Sequence, residues 1–156
     1  MSAPRKHRLR LIGRREFVNI PALGIAGIEA KVDTGAYTSS LHCEKIYTHL
    51  ENNIEVLYFT IVPGEDSTVF RFENFARKKI KNSFGEMEER YVIRTVVNIG
   101  KKNIRTIISL SNRDNMRYLL LIGRRLLKAK FLIDVNRTHI GGIGMKKFIK
   151  EIGTNS

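Results

Sequence analysis

Asp33-Thr34-Gly35 places an acid, a hydroxyl and a glycine side by side within Val32–Cys43, VDTGAYTSSLHC. As local structure this is an ordinary turn signal, because Asp accepts hydrogen bonds from the backbone that follows it and Gly permits positive φ. As chemistry it is a carboxylate offered at the end of a strand. The lead-in Ile25–Val32 reads as β, so Asp33 falls where the strand stops and a loop of small residues begins, a place where residues facing a cleft are often found. A second possible chemistry lies close by. His42 adjoins Cys43, and His49 follows six residues later. Neighbours on a strand point to opposite faces, so His42 is badly placed to activate Cys43 or to share a metal with it. The spacing matches neither the paired Cys/His pattern of structural zinc nor H-E-x-x-H. No G-x-x-x-x-G-K-[ST] loop is present either. The reading is therefore no metal and no cofactor.

Stepping outward from Asp33, most segments are rich in β-branched and aromatic residues and are bounded by turn residues. Strands are predicted at Glu16–Ile20, Ile25–Val32, Thr38–Leu41, Ile54–Val62, Thr68–Phe72, Arg77–Lys81, Glu88–Asn98, Ile104–Leu110, Leu119–Ile122 and Phe131–Val135. Turns are predicted at Pro21–Gly24, Pro63–Asp66, Asn82–Gly85, Gly100–Asn103 and Ser111–Asp114. Only Arg124–Lys130 and Met145–Ile152 look helical. Many short strands joined in this way predict a mainly β fold, a closed barrel or sandwich, with one or two short helices. The apolar strand Leu119–Ile122, followed by Gly123 and the short helix, is the second unusual element. The string LIGRR occurs twice, at Leu11–Arg15 and Leu121–Arg125; its two contexts differ, and it reads as coincidence.

Length and charge narrow the classes. The 156 residues are enough for one domain, and no apolar run approaches the roughly 20 residues of a membrane span. No secretory signal is evident, and one cysteine cannot form an internal disulfide, so a cytoplasmic location is expected. There are 28 Lys and Arg against 15 Asp and Glu, a net charge of +13. Such a surplus points to an acidic partner: nucleic acid, an anionic surface or an acidic peptide. No aromatic-interleaved RNA-binding signature accompanies it. Arg14, Arg15, Arg77, Lys78, Lys79, Arg124 and Arg125 are the basic residues expected to attract such a partner.

Asp33-Thr34-Gly35-Ala36 together with Leu121-Ile122-Gly123-Arg124 resembles the retropepsin-like aspartic proteases. More closely, the chain is similar to a bacterial and archaeal family usually labelled ATP-dependent zinc proteases. That likeness is carried by IGRREFV, KVDTGAYTSSLH, SFGEMEERYVI and SNRDNMRYLLLIGRRLL and runs from about Ile12 to Val135. The zinc and ATP of the label find no ligand motif here.

The resemblance implies a retropepsin-like closed barrel over residues 11–140, preceded by a basic tail at 1–10 and followed by a C-terminal tail at 141–156. It implies an aspartic-type peptidase with Asp33, Thr34 and Gly35 as its catalytic element. Ala36, Tyr37, Ile122, Gly123 and Arg124 would then line the substrate site, and Ser83, Phe84 and Gly85 would form the tip of a flap. Viral retropepsins usually carry a small acidic or polar residue where Tyr37 stands, and a cluster of glycines where this hairpin has Gly85 alone. No second D-[TS]-G occurs, so the resemblance implies a homodimer in which each chain supplies one aspartate. It also implies a link to ligases that add glutamate tails, and hence an acidic or glutamate-tailed substrate. Two other readings of the same residues are a non-catalytic reader of acidic peptides and an RNA- or ribosome-binding barrel with Asp33 incidental.

Overall fold

The computed structural model describes residues 8–61, 68–112 and 117–144. The turn expected at Pro63–Asp66, part of that at Ser111–Asp114 and the helix expected at Met145–Ile152 lie outside the described residues. Strand accounts for 61% and helix for 6%, so the fold is mainly β. In chain order the strands are β1 (Arg10–Gly13), β2 (Arg15–Ile20), β3 (Ile25–Val32), β4 (Ser39–His42), β5 (Glu44–Glu51), β6 (Ile54–Thr60), β7 (Val69–Phe72), β8 (Ala76–Lys81), β9 (Met87–Ile99), β10 (Lys102–Ser111), β11 (Leu120–Ile122) and β12 (Phe131–Asp134). The one α-helix among the described residues, α1 (Arg124–Leu127), is shorter than the expected Arg124–Lys130.

Six strands close into a barrel in the order β9-β2-β3-β11-β4-β10, with β10 returning to β9. Alternation decides what fills it. Along β9 and β10 the inward residues Ile93, Val97, Ile99, Ile104, Ile108 and Leu110 are buried, while Arg94 and Arg105 face out. Leu41, Leu120, Ile122, Ala30 and Val18 complete the core, each with no exposed surface. Removing one such aliphatic side chain from water is worth about 1.5–3 kcal/mol, so the barrel is held chiefly by this packing. β8 extends β9 as a hairpin beyond the barrel. A separate sheet, β5-β6-β7, packs Phe59 between Phe70 and Phe72 and sends Leu57 into the common core.

Two tight connections follow from residues that accept positive φ. Asn52 and Asn53 (φ 50° and 65°) join β5 to β6, and Gly100 and Lys101 (φ 56° and 63°) join β9 to β10. Both are two-residue hairpin loops whose mirror-image twist suits antiparallel strands. At Gly100 a side chain is also sterically barred, since a Cβ would lie 2.7 Å from the Phe131 ring and 2.9 Å from Ile12. β1 and β5 were not anticipated. β1 pairs in parallel with β12, some 120 residues later. β5 alternates half-buried with exposed positions over Glu44–His49, and five of its eight residues are polar or charged.

The segment 137–142 straps the barrel along β2. Arg14 N–H donates to the Arg137 carbonyl, and His139 N–H donates to the Arg15 carbonyl, each at 2.9 Å. The His139 ring stacks on Phe17 and reaches Glu29 at 2.6 Å. Glu16, only 1% exposed, accepts the backbone N–H groups of Gly13 (2.7 Å), Ile140 (3.1 Å) and Gly141 (2.8 Å). A buried carboxylate is tolerable only when so satisfied. Replacing Glu16 with alanine orphans the buried N–H groups of Gly13 and Gly141, at about 1–3 kcal/mol each, and the part-buried one of Ile140, so Glu16→Ala is expected to lower the unfolding free energy by about 2 kcal/mol or more in urea titrations. A loss below about 1 kcal/mol would mean that the strap does not depend on this carboxylate.

Candidate active site

Asp33 stands one residue past the end of β3. β11 lies between β3 and β4, parallel to the first and antiparallel to the second, so the 33–38 loop must pass over the end of β11. The loop is anchored by its backbone. Asp33 N–H donates to the Ile122 carbonyl at 2.8 Å, and the preceding amide of Val32 donates to Arg14 at 2.9 Å. These two acceptors belong to the two LIGRR copies. The echo that looked accidental is thus the pair of strand ends gripping the aspartate's strand from either side.

Beyond β11, the first amides of α1 have no helical acceptor and need one from elsewhere. Arg124 N–H takes the Ala36 carbonyl at 2.8 Å, and Arg125 N–H takes that of Tyr37 at 2.9 Å. Gly123 N–H donates to Ser39 Oγ at 3.0 Å. The Arg124 side chain returns over the loop, donating to the Thr34 carbonyl at 2.8 Å and lying 5.7 Å from the Tyr37 ring centre.

The Asp33 side chain is partly exposed. Its Oδ1 accepts Gly35 N–H at 3.1 Å, and its other oxygen has no partner among the described residues. Thr34 and Gly35 are exposed, Ala36 is half-buried and Tyr37 is 53% exposed. The structure therefore gathers Asp33–Tyr37 and Ile122–Arg124 into one surface. Ile122 and Gly123 are buried, so they support the loop from beneath.

Ser83, Phe84 and Gly85 form the tip of the β8–β9 hairpin. There Asn82 Oδ1 accepts the N–H groups of Phe84 and Glu86, and Gly85 takes φ 81°. Phe84 is 88% exposed. Among the described residues no hydrogen bond, ion pair or ring contact joins this tip to the Asp33 loop.

Cys43 and His42 face opposite ways. Cys43 is buried in the core, where desolvation pushes its thiol up to about 12, while His42 lies 3.8 Å from Glu44. His49 is exposed on β5. No three His, Cys, Asp or Glu side chains come together as metal ligands among the described residues, so the donors present do not fit the zinc of the family label.

With this geometry in place, residues 11–142 match the RimB-like family, described as retropepsin-like aspartic endopeptidase RimB. The chain belongs to that family. RimB-like similarity extends to larger proteins. The chain is 38% identical over 128 residues to a probable alpha-L-glutamate ligase of Shewanella halifaxensis, and 38% identical over 129 residues to one of Desulfotalea psychrophila. In each case 80% of this chain is covered, but it spans only 28% of the relative's length. A ligase so named from Parasynechococcus marenigrum is 33% identical over 133 residues, with coverage of 83% and 28%. Among solved structures, a Legionella pneumophila protein of unknown function superposes with a TM-score of 0.69 at 26% identity, covering 85% of this chain and 98% of that one. The chain thus spans a little over a quarter of the length of these curated relatives.

The tightest point of the site is Gly123. A Cβ there would sit 2.6 Å from the Tyr37 carbonyl oxygen and 2.8 Å from the Thr38 carbonyl carbon, both backbone atoms that cannot swing aside. Overpacking of this kind costs about 1–3 kcal/mol, and Gly123→Ala is expected to reach the upper part of that range by chemical denaturation. Gly35→Ala is the control. Its Cβ would meet only Asp33 Oδ1, at 3.3 Å, and the expected stability change is within about 0.5 kcal/mol.

Proposed function

We propose that this chain is an aspartic-type peptidase whose site is completed by a second copy, and that it acts on acidic, glutamate-bearing peptides. The observation that carries the reading is the Asp33 carboxylate, fixed at a strand end by a backbone-anchored loop and left with one oxygen unpartnered among the described residues. Membership of the RimB-like family supports it.

One carboxylate is half of the required chemistry. In a dyad, like charges about 3 Å apart cannot both ionise, so the two groups share a proton and titrate as a pair. The ionised carboxylate takes a proton from water as its oxygen attacks the peptide carbonyl. The protonated carboxylate gives its proton to the carbonyl oxygen. Collapse of the tetrahedral adduct then breaks the C–N bond, and the leaving nitrogen takes a proton. Outside Asp33 no aspartate in the chain is followed by Thr-Gly or Ser-Gly. Asp134 is held by Asn136 N–H and by Arg137. A two-fold axis beside Asp33 supplies the partner carboxylate. The Asn82–Glu86 turn would then serve as the flap, carrying Phe84 toward bound peptide and excluding water.

The substrate class draws on two facts. The chain is strongly basic, and its larger relatives are named for joining glutamate. These two facts favour a peptide that carries added glutamate as the substrate. We further propose that the chain acts in the cytoplasm.

Asp33→Asn is expected to abolish cleavage of a glutamate-rich peptide, followed by mass spectrometry, while leaving the circular dichroism spectrum unchanged. Wild-type cleavage should show a bell-shaped pH profile and exceed that of a neutral peptide of equal length. Turnover by the Asn variant at the wild-type rate would end the catalytic reading, and peptide binding without turnover would leave a reader of acidic peptides.

Sedimentation with a bound peptide analogue is expected to give twice the 17.9 kDa of one chain. An active species that stayed monomeric would contradict the shared site.

A further inference from the structure

A cleft of about 1000 Å³ opens on the side of the barrel, between the outer face of β9–β10, the Pro21-Ala22 turn and the segment 71–76. None of its lining residues belongs to the Asp33 loop or to β11. Its floor is apolar: Val96 and Ile107 are half-buried on the barrel's outer face. Arg94 and Arg105 stand beside them, both exposed. Neither has a hydrogen-bonding, ionic or ring partner among the described residues, unlike Arg71 and Arg77, which are tied to glutamates.

The strand register fixes how these two cations are spaced. Arg94 lies opposite Ile107, and Val96 lies opposite Arg105, so the guanidiniums spring from diagonal positions on one face. Diagonal neighbours across an antiparallel pair are about 7–8 Å apart. Side chains i and i+2 of an extended peptide also share a face, at about 6.6–6.8 Å from a rise of about 3.3–3.4 Å per residue. An extended acidic segment therefore presents alternate carboxylates at the pitch of these two arginines, and each guanidinium can take a carboxylate in its fork. The methylene stems of the glutamates would rest on Val96 and Ile107. Glu73, the one carboxylate in the wall, is held by Arg71 at 3.1 Å.

We propose that this cleft is a binding site for an extended, glutamate-rich peptide segment, separate from the Asp33 site and anchored by Arg94 and Arg105. The proposal shares the acidic ligand with the function above but does not depend on cleavage. Single-stranded nucleic acid fits less well. It relies on free aromatic faces for stacking, and the two aromatic side chains of the cleft are engaged internally: Phe72 against Phe59, and Phe75 against Tyr91 and Arg77.

The test uses full-length protein carrying Asp33→Asn, so that bound peptide stays intact. The probe is a fluorescein-labelled oligoglutamate read by anisotropy at low salt. Adding Arg94→Ala and Arg105→Ala is expected to weaken binding at least tenfold. Arg94→Lys with Arg105→Lys, which keeps the charge but loses the fork, is expected to weaken it about threefold. Arg10→Gln with Lys128→Gln, an equal loss of charge at exposed positions outside the cleft, is expected to change it less than twofold. Circular dichroism checks that each variant is folded.

Equal weakening by the two charge-removing pairs would overturn the proposal in favour of general attraction by a basic surface. Unchanged binding by the Ala pair would overturn it outright. So would an RNA oligomer that bound more tightly than oligoglutamate and depended on the same two arginines. Oligoglutamate binding that needs Arg94 and Arg105, in a protein whose wild type cleaves nothing, would sustain this site while removing the peptidase reading. Wild-type cleavage together with unchanged binding by the Ala pair would do the reverse.

Discussion

The structure turns on the wedging of β11 between β3 and β4. A three-residue strand running parallel to one neighbour and antiparallel to the other cannot be reached by a simple hairpin, so the chain between β3 and β4 is forced across its end. Everything in the Asp33 loop answers that constraint. Ile122 accepts the Asp33 amide, Gly123 fits under Tyr37 and Thr38 because it has no side chain, and the orphan amides at the start of α1 find their acceptors in Ala36 and Tyr37. A helix of four residues has little stability of its own. Here it survives because loop carbonyls cap it and Leu126 and Leu127 are buried.

This arrangement holds Asp33 by main-chain bonds and leaves the carboxylate largely uncommitted. The loop's position is set by amides and carbonyls that any sequence would supply. Asp33, Gly123, Ser39 and the Arg124 side chain act through residue identity, so the frame can be kept while exposed positions such as Tyr37 differ. Arg124 links the two halves of the site, since its backbone N–H donates to the Ala36 carbonyl while its side chain donates to the Thr34 carbonyl.

The basic surplus is not spread evenly in effect. Several arginines are neutralised where they stand: Arg71 by Glu51 and Glu73, Arg77 by Glu55 and Glu89, Arg90 by Glu88, and Arg137 by Asp134. Apart from that of the buried Arg90, these are exposed or half-exposed pairs worth about 0–1 kcal/mol, so they shape the surface field more than they stabilise the fold. The hydrogen bond from Tyr58 to Glu51, with that from Arg71, lowers the Glu51 pKa and keeps that carboxylate charged. Positive potential then belongs to cations without such partners, and Arg94 and Arg105 are two of them set over an apolar floor.

What was legible in the sequence is what neighbours along the chain decide. Turn residues at Pro21–Gly24 and Asn82–Gly85, the Gly100-Lys101 half of the turn expected at Gly100–Asn103, the alternation of β9 and β10, and Asp33 at the end of an apolar strand all express local conformational preference and period-two burial. β1 was missed because its strand character comes from a distant partner, β12, and β5 because five of its eight residues are polar or charged, so that only its pairing with β6 makes it a strand. The family likeness carried the placement of Asp33 beside Ile122–Arg124, but no spacing along the chain told that both LIGRR copies grip one strand. Nor did the sequence show that Glu16 would be buried beneath residues 140 and 141, or that Arg94 and Arg105 would share a cleft while Arg77 was neutralised. Those outcomes depend on strand order and register. The closed barrel sets both, because the pairings that close it join residues about 70 to 90 positions apart, as between Ile108 and Ser39 or Leu120 and Ala30.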